Sequence, residues 1–181
     1  MEISDKNTRS ECQRLAREVK RCKSHILEEL VDYKYAMTDL RASLRAYRSA
    51  CSRYERKPTD RNHESMTVTY RELADEYTES MALKARITSY LDAAAEATAE
   101  YRDLLGTDDR AGMLLADRFE KYSIGVMSRL ADAEHGILES MPDALITGTD
   151  ETYEQAEDYA ESVARDIKEL SRPVADTDHS L

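Results

Sequence analysis

Residues 15–54 read LAREVKRCKSHILEELVDYKYAMTDLRASLRAYRSACSRY. Within them Leu15, Val19, Cys22, Ile26, Leu30, Tyr33, Met37, Leu40, Leu44, Tyr47, Cys51 and Tyr54 recur at steps of three or four. That spacing returns an apolar side chain to one face of an α-helix every turn, so the stretch predicts one very long amphipathic helix lying against others. A 4-4 step at Cys22, Ile26 and Leu30 locally relaxes the left-handed supercoil that strict heptads would impose.

Outward from this stretch the first break is Lys57-Pro58-Thr59-Asp60. Proline removes a backbone donor and restricts the residue before it, and Thr59 or Asp60 can cap a new helix. The first helix is therefore expected over about 8–56, on the order of 70 Å at 1.5 Å per residue. A second, at about 61–105, carries Met66, Tyr70, Leu73, Tyr77, Met81, Ile87, Leu91 and Ala94, with many small residues in its second half. Ala36, Ser43, Ala46 and Ala50 supply small side chains beside the first stripe.

Gly106-Thr107-Asp108-Asp109 combines a glycine stop with a new N-cap and opens a third helix, expected over about 110–140. Gly125 within it reads as a close crossing point, with local bending as the competing explanation, because a helix-interior glycine costs up to about 1 kcal/mol relative to alanine. Residues 141–148 form a turn with an apolar centre, expected to plug one end of the bundle. A fourth helix is expected over about 150–171, where Tyr153, Ala156, Ala160, Val163, Ile167 and Leu170 keep three-four spacing. Pro173 ends it, and 173–181 reads as a flexible tail.

The result is an all-α fold: an elongated antiparallel bundle, residues 1–172 as one domain, with a long coiled-coil-like hairpin of helices 1 and 2 and two shorter helices. Scarce glycine (5) and proline (3) with 35% charged residues agree with long helices rather than sheet. Helices 3 and 4 either fold back on each other, leaving the hairpin tip uncovered, or lie end to end as a third rod.

Three cysteines, Cys12, Cys22 and Cys51, fall on or in register with one helix. They fit neither a disulfide framework nor a zinc module, and read as small buried apolar residues in a reducing compartment. No apolar run follows Met1, which points to a soluble cytoplasmic protein. The sequence lacks Gly-x-Ser-x-Gly, Cys-x-x-Cys, His-Glu-x-x-His and Gly-Lys-Ser/Thr motifs, so the chain reads as non-enzymatic and without a cofactor. The nearest approaches to a metal site, Asp132-x-x-His135 with Glu139 and His25-x-x-Glu28 near Cys22, lack carboxylate partners and read as solvated helix-surface pairs.

The formal net charge of −11 conceals an asymmetry. Residues 1–57 hold 14 Lys/Arg against 9 Asp/Glu, whereas residues 58–181 hold 12 against 28. Lys20, Lys23, Lys34, Arg41, Arg45 and Arg48 each lie one residue past a stripe position and form a basic ridge along one flank of the first helix. The ridge either faces acidic helices of the same molecule, above all Glu151, Glu154, Glu157, Asp158, Glu161 and Asp166 of the fourth, or meets an anionic surface. Nucleic acid is the weaker match because the chain as a whole repels polyanions.

A basic long hairpin followed by shorter acidic helices resembles, in charge order and helix-length order, the membrane-remodelling ESCRT-III proteins. The resemblance implies binding to anionic membranes. The tail Ser171-Arg172-Pro173-Val174 lacks the Leu- and Pro-rich spacing by which those proteins bind their ATPase, so no residue role carries over.

The residues themselves lead first to a helical assembly, scaffold or adaptor protein. Its expected partner is a protein, either further copies of itself or a larger assembly, docked through the hairpin. The expected anchors are Leu40, Leu44, Tyr47, Cys51, Tyr54, Met66, Tyr70 and Tyr77, since burying one large apolar side chain contributes about 1.5–3 kcal/mol. Eleven tyrosines against one phenylalanine suit such a surface, with Tyr33, Tyr47, Tyr54, Tyr70 and Tyr77 expected at the seam edges and their hydroxyls in water.

Overall fold

The computed structural model describes residues 2–106, 109–142 and 145–146. The expected fourth helix, residues 150–171, and the tail lie outside the described residues. Among these the chain is all-α, with no strand: α1 spans Glu2–Arg56, α2 Asp60–Leu105 and α3 Arg110–Glu134, followed by a short 3-10 turn at Leu138–Ser140.

The stripe closes α1 onto α2 as an antiparallel hairpin. Leu15, Val19, Ile26, Tyr33, Met37, Leu40 and Leu44 are buried against Leu73, Tyr77, Leu83, Ile87 and Leu91. Ala36 and Ala50 on α1, and Ala94 and Ala97 on α2, are buried as well, so small side chains let the two helices approach closely. The bend is set at Pro58 and Thr59. Thr59 Oγ1 accepts from the Asn62 N–H at 3.3 Å, and the Asn62 side chain donates to the Lys57 carbonyl at 2.7 Å. One orphan donor of α2 and one orphan acceptor at the end of α1 are thereby satisfied.

Gly106, at φ +91°, stops α2, and Asp109 starts α3 by accepting from the N–H groups of Ala111 and Gly112 at 2.8 and 3.1 Å. α3 then runs back along the hairpin, placing Phe119, Val126 and Leu130 in the same core. Its packing is mainly against α2.

Three expectations are corrected. The third helix ends at Glu134 rather than near residue 140, because Gly136 takes a left-handed conformation, φ +71°, that terminates helices readily in glycine. The close helix approach lies at Gly112, where an added Cβ would stand 3.3 Å from the Cα of Arg102; at Gly125 it would meet nothing within 4 Å. Tyr33 and Tyr77 are buried rather than at the seam edge. Tyr33 keeps its hydroxyl satisfied by donating to Glu134 at 2.5 Å.

Candidate docking surface

The site is built by the mismatch in helix lengths. α3 and the turn after it accompany the hairpin only part of the way. Tyr122 donates to the Lys23 carbonyl at 3.3 Å, Glu134 meets Tyr33 and Lys84, and Arg48 Nη2 donates to the Ser140 carbonyl at 2.9 Å. Met141 and Leu145 close onto the core just beyond, where the apolar turn was expected to act as a plug.

Past Arg48, towards the hairpin tip, the apolar stripe continues but is only half covered. Tyr47, Cys51 and Tyr54 of α1 and Met66 and Tyr70 of α2 are all of intermediate exposure. The Tyr47 and Tyr70 rings stand 5.4 Å apart and tilted, and Tyr54 meets the edge of His63 at 5.6 Å. Such aromatic pairs hold a surface in one shape beyond what apolar area alone contributes. The Tyr47 hydroxyl is pushed up to about 12, chiefly by its pairing with the Cys51 thiol and then by burial. The expected anchor set therefore divides. Tyr47, Cys51, Tyr54, Met66 and Tyr70 stay accessible at the tip, whereas Leu40, Leu44 and Tyr77 are buried in the chain's own seam and cannot meet a partner without unfolding it.

The basic ridge divides too. Lys23 Nζ lies 4.7 Å above the centre of the Tyr122 ring, a cation–π contact, and Arg48 is held by Ser140. Lys20, Lys34, Arg41 and Arg45 are exposed and make no ion pair among the described residues. Among the described residues, ion pairs cross between helices from Arg14 to Glu100, from Arg86 to Glu29 and from Lys84 to Glu134, at 3.7, 3.0 and 2.7 Å. All three lie away from the ridge.

Periodicity also passed over an apolar row. Leu27, Val31 and Tyr35 are exposed on α1 at steps of four, outside the main stripe. Their i, i+4, i+8 spacing was the available signal.

His25 stacks on Tyr90 at 5.0 Å and lies 3.6 Å from Glu28, and His135 caps the end of α3. A cleft of about 430 Å³ opens at the base of the hairpin, lined by Thr8, Arg9, Cys12, Gln13, Ala16, Tyr101 and Leu105. No helix among the described residues is long and apolar enough to cross a membrane.

Comparison with family models, with characterised proteins and with solved structures finds no match to the chain.

Proposed function

We propose that this chain is a non-enzymatic helical assembly or adaptor protein of the cytoplasm that acts through the tip of its α1/α2 hairpin, by self-association or by docking a protein partner. The observation that carries the reading is the half-covered aromatic cluster Tyr47, Tyr54 and Tyr70 with Cys51 and Met66 beyond the reach of α3. Aromatic and Met side chains in a partly covered apolar cluster are the residue types that anchor protein interfaces.

Light scattering coupled to size exclusion, at two protein concentrations and at low and high salt, tests it. The expected result is an oligomer that survives high salt and reverts to a single chain in Tyr54→Glu/Met66→Glu with helix content unchanged. A single-chain mass for the parent under every condition overturns self-association and leaves the adaptor reading to partner binding at the same tip.

A second reading rests on the exposed cations Lys20, Lys34, Arg41 and Arg45, which can meet an anionic membrane surface at about 1 kcal/mol per basic residue. It expects salt-sensitive sedimentation with anionic vesicles that Arg41→Glu/Arg45→Glu abolishes.

A further inference from the structure

We infer that the acidic segment 150–171 of this same chain docks along the exposed flank of α1, antiparallel to it, in the slot between α1 and α3. The inference concerns a different face from the hairpin tip and stands or falls independently of the assembly reading.

α3 packs mainly on α2, while Tyr122 meets Lys23 and the turn at Ser140 meets Arg48, both on the ridge flank of α1, so a further helix on that flank would run beside α3. On α1 this flank presents Leu27 and Val31, 49% and 54% exposed, between the exposed cations Lys20, Lys34, Arg41 and Arg45. On α3, the exposed Arg118 and Arg129 share the helical face of Tyr122, whose hydroxyl reaches α1. Exposed apolar residues among cations of α1 and α3 fit an amphipathic helix with acidic edges.

The chain carries one such segment, and it is within reach. Thirty-five residues follow Ile146. Residues 150–171 hold 8 Asp/Glu against 2 Lys/Arg, and their apolar positions keep helical spacing. Ser140 is fixed beside Arg48 and Leu145 is packed into the core, so a helix starting at Asp150 has only a few residues in which to leave the Arg48 level of α1. Running outward it would pass beyond the hairpin tip, since α1 ends at Arg56. Running back, a 22-residue helix covers about 33 Å, which ends beside Leu27. In that direction Glu154 and Glu157 come opposite Arg45 and Arg41, and Ile167 and Leu170 come opposite Val31 and Leu27. Short connections make sequential helices antiparallel neighbours, so the same placement completes an up-down-up-down bundle.

Hydrogen exchange of the full chain, read by mass spectrometry at two protein concentrations, tests the docking. The expected result is exchange in 150–171 at least about tenfold slower than in 173–181, independent of concentration, since a docked helix opens less often than a polar tail. Arg41→Glu/Arg45→Glu should remove that protection, and adding Glu154→Arg/Glu157→Arg to the same chain should restore it. Exchange in 150–171 as fast as in the tail overturns the inference. Protection that grows with concentration overturns it in favour of a second copy. Protection that appears only with anionic vesicles overturns it in favour of a membrane surface.

Discussion

The Tyr33 hydroxyl donates to the Glu134 carboxylate, 101 residues downstream, at 2.5 Å, and the same carboxylate oxygen lies 2.7 Å from Lys84 Nζ. One side chain of α3 thus ties α1 to α2. Tyr33 is 1% exposed, and burial, followed by the Glu134 carboxylate, raises its hydroxyl far above the usual phenol range. The hydroxyl is therefore a committed donor at any ordinary pH.

Removing the two partners should cost unequal amounts. Tyr33→Phe deletes a donor while Glu134 keeps Lys84, so the expected loss is about 0.5–1.5 kcal/mol. Glu134→Ala strands a buried hydroxyl, which costs about 1–3 kcal/mol. Urea unfolding of the two single variants and the double variant reads the coupling between them. Strict additivity would show that α3 is not held at this point.

The hairpin was legible because its information is local. The three-four stripe from Leu15 to Tyr54, the Pro58 break and the Thr59 and Asp109 caps each declare themselves within a few residues, and the structure uses all of them. What failed depended on partners far along the chain. Nothing near Tyr33 announces Glu134, so its hydroxyl was expected in water. Gly125 and Gly136 look alike in a helical pattern; one stands in an exposed helix face and the other takes φ +71°, a difference decided by the path of the following residues. The candidate surface was half legible for the same reason. Leu40 and Tyr54 occupy the same stripe, and only the reach of α3 and its turn, ending beside Arg48, separates a core residue from a half-exposed one.

The two glycines of α3 should respond differently to alanine. At Gly125 an added Cβ meets nothing within 4 Å, so Gly125→Ala should stabilise the chain by about 0.5–1 kcal/mol through helix propensity and reduced unfolded-state entropy. At Gly112 the same Cβ stands 3.3 Å from both Cα and Cγ of Arg102, and the backbone atom cannot move aside as a side-chain end can. Gly112→Ala should therefore lower the melting temperature relative to Gly125→Ala. Equal gains at both positions would mean that α3 is not seated closely on the end of α2.

Glu76 gives the fold a pH dependence of definite sign. Its carboxyl is held above the usual range, chiefly by burial and then by Asp39 across the seam and by Glu79 and Asp75 on its own helix. A carboxyl that binds its proton more tightly in the fold makes stability fall as pH rises through the interval between its unfolded and folded values. Above that interval the ionised side chain is a standing cost, which Glu76→Gln removes. The variant should melt higher than the parent at neutral pH, with the difference closing as pH falls through the carboxylate range. Identical melting at neutral pH would mean that solvent already screens Asp39 from Glu76.

The cysteines allow the tip to be examined in the native chain. Cys12 and Cys22 are buried, and burial pushes the Cys22 thiol up to about 11, so little reactive thiolate forms there near neutral pH. Cys51 is of intermediate exposure beside Tyr47 in the aromatic cluster. An uncharged thiol reagent should therefore label one site fast and two sites only on unfolding. Where the tip carries an oligomer interface, the fast phase should slow as protein concentration rises, in step with the mass from light scattering. The Tyr54→Glu/Met66→Glu variant should then label fast at every concentration. Fast labelling of the parent that ignores its own oligomeric state would place the contact elsewhere and remove Cys51 from it.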